Sequence, residues 1–411
     1  MSKYPVSPLA TDLPTLPPVR GVRLASIEAG LRYSGRLDLT LMEFAPSTTV
    51  AGVFTKNKCP GAPIDWCRNI LKHGKARGVL INAGIANVFT GKAGFDAVKY
   101  SAQAAAKAIG CSSEEIYVAS TGVIGEQLPY QKIIDAMPTL YQQLDENQWK
   151  ESAQAILTTD TFAKGYSITT KIGNETVTIQ GIAKGSGMIA PDMATMLAFV
   201  TTDAKLPASL LQALLSEKVK TTFNAITVDS DTSTSDTLLV FATGVANNTE
   251  ITDINDPLLQ DFAQAFETTL KELALLVIKD GEGVSKLIEI TVKGAVNDDS
   301  AFKIGMAIGN SPLVKTAITG EDANWGRVVM AVGKAGEPAN RDTLSVAIGD
   351  IWVAHEGGVL TDYDRNKVNQ HMKAETIKIK VNLNLGQGSA TVWSCNLTKG
   401  YIDINGSYLR S

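Results

Sequence analysis

The sequence predicts a layered α/β or α+β protein, with stacked sheets and helices on the outside. Strand and helix signals alternate through all 411 residues. No internal repeat or low-complexity linker interrupts them. The C-terminal stretch carries a strict two-residue apolar period at Ile377, Ile379, Val381, Leu383 and Leu385, which buries one face of a strand.

Taken in order, Gly78 to Ala83 (GVLINA) is a buried-strand run. DAVKYSAQAAAKAIG reads as a helix capped by Asp96 and closed by Gly110. Ile116 to Ser120 is the next strand, ending in Thr121-Gly122, and two helical segments occupy about 130–157. Polar and β-branched residues alternate in GYSITTKI and ETVTIQGIAKG, giving two more strands. Glycines and a proline make Lys184 to Ala194 (KGSGMIAPDMA) a loop, after which Thr195 opens the apolar strand TMLAFVTTD. A helix over 206–222, a strand from Thr237 to Thr243 and a long helix over about 255–279 follow. ATVWSCNL and GYIDING read as strands that complete a C-terminal meander.

Composition excludes several classes of function. Hydrophobic residues make up 44% and charged residues 19%, which excludes a disordered chain. A net charge of −4, with no lysine- or arginine-rich run, leaves no footprint for nucleic acid. No apolar stretch reaches the roughly 18 residues of a membrane span. The proline-rich N-terminal segment lacks the apolar core of a signal peptide, so the expected location is the cytoplasm. Cys59, Cys67, Cys111 and Cys395 are scattered and read as reduced, structural thiols. His73, His355 and His371 lie far apart, and none has a metal-ligand spacing. An enzyme built from this chain takes its base from elsewhere.

There is no GxxxxGK[ST], no GxSxG and no GxGxxG after a strand. The feature that carries chemistry is KGSGMIAPDMATML, Lys184 to Leu197. A hydroxyl held at a strand start can attack the carbonyl that the preceding loop bends into reach. Attack by Thr195 on the Ala194 carbonyl gives an ester that water hydrolyses, leaving Thr195 as a new N-terminus. Its α-amine, with an ordinary pKa of about 8, is then a base for its own hydroxyl. On spacing alone, a glycine-rich loop entering a strand is usually just a loop.

Seven ordered blocks resolve that choice: LINAGIANVFTG, VASTGVIGE, TTDTFAK, KGSGMIAPDMATML, VDSDTSTSDT, KDGEGVSK and GEDANWGR. Together they resemble the ornithine acetyltransferase family (glutamate N-acetyltransferases, the ArgJ enzymes of arginine biosynthesis). The resemblance implies that Thr195 is both cleavage point and acyl-carrying nucleophile. It implies Thr121 and Gly122 as the oxyanion hole, and Thr158, Lys184, Thr195, Glu282, Asn405 and Ser411 as substrate contacts. From the residues alone, Thr121-Gly122 is a turn, Lys184 a solvated loop lysine and Glu282 an exposed loop acid. Thr159 competes with Thr158 for its role. The tail NGSYLRS departs from the family by one extra residue after the asparagine and by serine in place of threonine. Ile85 and Ser235 stand where the family tends to have asparagine.

The resemblance further implies a precursor cut between Ala194 and Thr195 into an α chain (1–194) and a β chain (195–411), paired again into a heterotetramer. The fold implied is an αββα sandwich, shared with the related self-cleaving (DmpA-like) aminopeptidases. N-acetylornithine would give its acetyl group to Thr195 and glutamate would collect it, with no metal or organic cofactor. Some members take acetyl-coenzyme A as a further donor. A hydrolase of the same superfamily and a non-catalytic binder of acylated amino acids are the competing readings.

Overall fold

A computed structural model describes residues 5–190 and 196–406. Its first sheet has four strands, in the order Val22–Ile27, Leu39–Phe44, Gly78–Ile85 and Ile116–Val123. The first three pair antiparallel and the last pair is parallel, which requires a crossover. The helix Gly91–Ile109 supplies it. A central sheet follows in the order Thr49–Phe54, Thr237–Ala242, Leu197–Thr202, Glu175–Lys184 and Lys164–Ile172.

These two sheets face each other because their strands are apolar on both sides. Met42, Phe44, Val79 and Ile81 of the first meet Leu197, Phe199, Leu239 and Phe241 of the second. Phe44 stacks on Phe241 at 4.2 Å between ring centroids, and Tyr117 meets Phe241 edge-on at 6.1 Å. Alternate residues point outward. Leu39, Leu41, Leu80 and Val118 lie under the helices Gly91–Ile109 and Tyr130–Gln142. Val177, Ile179, Val200 and Val240 lie under Ala208–Lys218 and Gln260–Lys279. At Gly181 the second helix comes so close that a Cβ would sit 2.8 Å from Leu273 Cδ1. The layers therefore run helix, sheet, sheet, helix, the αββα arrangement implied by the resemblance.

A third sheet of seven strands continues the core beyond the Gln260–Lys279 helix. At its centre Leu287–Ala295 lies between Thr376–Asn382, parallel to it, and Gly388–Cys395, antiparallel. The parallel pair rules out a simple meander. Ile377, Ile379, Val381 and Leu383 are buried as the period of two predicts, while Leu385 falls beyond the strand and is only partly buried.

Three boundaries differ from expectation. The first crossover helix begins at Gly91, where φ is +55°, so Asp96 lies inside it and pairs with Lys92 on the surface. Thr121 and Gly122 belong to the strand itself, paired with Ala83 and Gly84. GYIDING is not a strand: Lys399–Asn405 is a helix, started by the Thr398 hydroxyl, which accepts from the Gly400 N–H at 3.0 Å.

Candidate active site

One cavity of about 340 Å³ gathers Thr121, Gly122, Thr158, Lys184, Glu282 and Asn405 from five separate segments. Thr159, Gly187, Met188 and Ser233 to Ser235 complete much of its wall. Ala194, Thr195 and Ser411 lie outside the described residues. Met196, covalently next to Thr195, is buried at the start of the central strand Leu197–Thr202.

The strand Ile116–Val123 is the edge of the first sheet, so alternate N–H groups on its outer side are left out of the ladder. Gly122 has φ +132°, and a Cβ there would collide with the Gly84 backbone. Only glycine lets the two strands approach so closely beside the cavity. The Ser120 hydroxyl donates to Asn82 Oδ1 at 2.6 Å, and Asn82 Nδ2 donates to the Ile85 carbonyl, tying the strands together just before that point.

Lys184 ends the strand Glu175–Lys184 and is 3% exposed, not a solvated loop lysine. Its Nζ donates to Thr158 Oγ1 at 2.8 Å and to Thr121 Oγ1 at 3.3 Å, and lies 3.6 Å from Asp160 Oδ2. Behind it, fully buried Lys164 bridges Asp160 at 2.7 Å and Asp280 at 2.6 Å. Asp160 also accepts from the backbone N–H groups of Gly185 and Thr158. Burial pushes the Asp160 carboxyl upward, but the two ammonium groups outweigh it and hold the acid below its usual range. Burial lowers Lys184, an effect that nearby Lys164 reinforces and Asp160 only partly offsets.

Glu282 is 8% exposed, so it too is not a free surface acid. Asn405 Nδ2 donates to its Oε2 at 2.7 Å, which carries the C-terminal helix into the cavity wall. Burial raises the Glu282 carboxyl against the hydrogen bonds from Asn405 and Thr159. A side chain at Gly187 would collide with this carboxylate. Thr159 pairs with Ser186 at 2.6 Å, so Thr158 and Thr159 have separate partners around one cavity.

The segment from Val228 to Thr237 supports both flanks of residues 191–195. Asp229 accepts from the N–H groups of Met188 at 2.6 Å and Ile189 at 2.8 Å. The Ile189 carbonyl accepts in turn from the Val228 N–H at 2.8 Å and from Thr227 Oγ1 at 3.2 Å. On the other flank, the Met196 N–H donates to Asp236 Oδ1 at 3.1 Å, and the Met196 carbonyl accepts from the Thr237 N–H at 3.1 Å. Burial pushes the Asp236 carboxyl well upward despite the Met196 amide, and among the described residues its Oδ2 finds no hydrogen-bond partner.

Asp160, Lys164, Asp280, Asp229 and Asp236 were not singled out from the sequence. The first three sit inside TTDTFAK and KDGEGVSK, where only Thr158 and Glu282 drew attention. The signal available was a charged pair four residues apart on a segment entering a strand. The histidines lie elsewhere: His73 faces Glu114, His355 faces Ser345, and His371 accepts from the Lys378 N–H.

The ArgJ family model matches residues 23–410. The chain is 59% identical over 404 residues to the arginine biosynthesis bifunctional protein ArgJ of Gluconobacter oxydans (strain 621H), covering 98% of this chain and 95% of that one. It is 54% identical over 407 residues to the ArgJ protein of Brucella melitensis, covering 98% of both. Among solved structures, the Bacillus halodurans arginine biosynthesis bifunctional protein argJ is 42% identical with a TM-score of 0.49, covering 51% of this chain and 98% of that one.

Proposed function

The chain belongs to the ArgJ family of arginine-biosynthesis acyltransferases, and from that premise we propose that it moves acetyl from N-acetylornithine to glutamate through an ester on Thr195. The observation that carries this reading is the convergence of Thr121, Gly122, Thr158, Lys184, Glu282 and Asn405 on one cavity.

The chain first cuts itself. The Thr195 hydroxyl oxygen bonds to the Ala194 carbonyl carbon, the Ala194–Thr195 peptide C–N bond breaks, and the hydroxyl proton passes to the departing nitrogen. Water then cleaves the ester, leaving a carboxylate on Ala194 and a free amine and hydroxyl on Thr195. In turnover that amine takes the hydroxyl proton as oxygen attacks the acetyl carbonyl of N-acetylornithine. The developing oxyanion is held by backbone N–H at Gly122 and by the Thr121 hydroxyl. The proton returns to the leaving amine and ornithine departs. Glutamate's amine then attacks the acetyl ester, N-acetylglutamate leaves, and Thr195 recovers its proton.

Lys184 suits the α-carboxylate common to both substrates, and the Glu282 carboxylate suits a substrate amine. Asn405 and Thr159 hold Glu282 in place. Acetyl-coenzyme A serves as a second donor, in keeping with relatives named as bifunctional. No metal or organic cofactor enters these steps. The pieces 1–194 and 195–411 stay together and pair into a heterotetramer in the cytoplasm; among the described residues no helix is long and apolar enough to cross a membrane.

Intact mass under denaturing conditions tests the first step. Two chains, the second beginning at Thr195, are expected, and Thr195→Ala should stay whole and inactive. Cleavage of Thr195→Ala at the same bond would place the nucleophile elsewhere. For turnover, ornithine release should depend on glutamate; release indifferent to glutamate would identify a hydrolase.

A further inference from the structure

We propose, resting on the self-cleavage reading, that Asp229 and Asp236 form a two-point clamp that positions the backbone on either side of the scissile peptide. Both are positioning residues, acting through Ile189 and Met196 rather than on the reacting atoms.

Each flank is held at both its N–H and its carbonyl. Ile189 is bound by Asp229 Oδ1 and the Val228 N–H, and Met196 by Asp236 Oδ1 and the Thr237 N–H. The spacing matches as well: the anchors Ile189 and Met196 are seven positions apart, as are Asp229 and Asp236. One chain segment therefore holds both anchors. Self-attack needs a hydroxyl and a carbonyl held near van der Waals contact, and fixing both anchors favours such an approach. Non-glycine residues at positive φ sit on both sides of the upstream anchor, Met188 at +57° and Ser230 at +66°. Such backbone persists where surrounding structure over-determines it.

Asp236 makes a weak structural choice, which supports a positioning role. It is fully buried, yet among the described residues Oδ2 has no hydrogen-bond partner, and burying such an acid is unfavourable. Its Oδ1 accepts from the amide that follows Thr195.

The clamp makes an asymmetric prediction. Either loss removes an amide acceptor and leaves the carbonyl on that flank held. Met196 adjoins Thr195, however, whereas Ile189 lies five residues before Ala194, so loss of Asp236 acts nearer the reacting atoms. Asp236→Ala should slow self-cleavage by about tenfold to a hundredfold, and Asp229→Ala by less, in a mass-resolved time course on the freshly purified full chain. Asp236→Asn keeps an oxygen acceptor and should cleave within about threefold of the parent. In the cleaved fraction, Asp236→Ala should lower kcat while KM stays near the parent value, because Lys184 and Glu282 are untouched.

Parent-like cleavage by Asp236→Ala, or an Asn variant as slow as the Ala variant, would overturn the clamp. If Asp236→Ala fails to fold, amide hydrogen exchange in the Thr195→Ala chain decides. A Met196 amide that is protected there and stays protected on adding Asp236→Asn, which keeps the acceptor oxygen, supports the clamp, and a Met196 amide exchanging at the unprotected rate overturns it. A parent chain that never cleaves defeats the self-cleavage reading, and the exchange measurement still judges the clamp.

Discussion

Asp160 and Asp236 are both buried carboxyl groups close to the same cavity, and their surroundings push them in opposite directions. Asp160 faces two ammonium groups and two backbone N–H donors, so its charge is held. Asp236 has a backbone amide and hydroxyl groups but, among the described residues, no ammonium in ion-pair contact, so burial favours its neutral form. Burial alone does not set the state of an acid; the nearest full charge does.

The comparison breaks most visibly at Lys164. Lys164→Met leaves Asp160 and Asp280 without the cation they share, and should cost about 3–5 kcal/mol in urea unfolding. Adding Asp280→Asn should recover part of that loss. No recovery would mean that Lys164 acts mainly through packing.

Lys184→Met comes next. Lys164 still faces Asp160 in that variant, so the stability loss should be smaller than for Lys164→Met. The kcat/KM for N-acetylornithine should fall about a hundredfold, equivalent to about 2.7 kcal/mol. A loss confined to stability would take Lys184 out of substrate binding.

The pH dependence sharpens the contrast. Stability from Asp160 is present above its unfolded pKa of about 3.9 and is lost as pH falls through its depressed folded value. Stability from Asp236 is present below that same unfolded value and is lost as pH rises through its elevated folded value. The melting temperature of Asp236→Asn relative to the parent should therefore increase from about pH 4 to about pH 8. A flat difference would mean that Asp236 ionises in the folded chain as it does in the unfolded one.

The smallest effect lies on the third sheet. Lys380 pairs with Asp350 at 2.7 Å, as short as the Lys164–Asp160 contact, but in open solvent. Lys380→Ala should leave the melting temperature unchanged within error, because water screens such pairs.

This contrast also explains what the sequence could reveal. Apolar period is local, so the strand Thr376–Asn382 and the faces of the first two sheets were legible. GYIDING misled because Ile402 and Ile404 alternate as in a strand, whereas one is exposed and the other packs inward from a helix. Thr158, Lys184 and Glu282 were reachable through the family blocks and Asn405 through the tail NGSYLRS, and all four share one cavity. Asp160 and Lys164, four apart, look in sequence like any surface pair, and only the packing of distant segments shows that both are buried. Their partner Asp280 lies more than a hundred residues away, at the end of the Gln260–Lys279 helix.

The C-terminal helix has a consequence for how the protein is made. Gly283 and Gly400 pack backbone against backbone, and Thr398 Oγ1 donates to the Gly283 carbonyl at 2.6 Å, so Lys399–Asn405 docks beside Glu282 without intervening side chains. During translation, Thr158, Lys184 and Glu282 emerge from the ribosome long before Asn405. A nascent or prematurely terminated chain thus carries most of the residues that line the cavity but lacks one of its walls. Arrival of the helix Lys399–Asn405 divides an open cavity from one closed on that side.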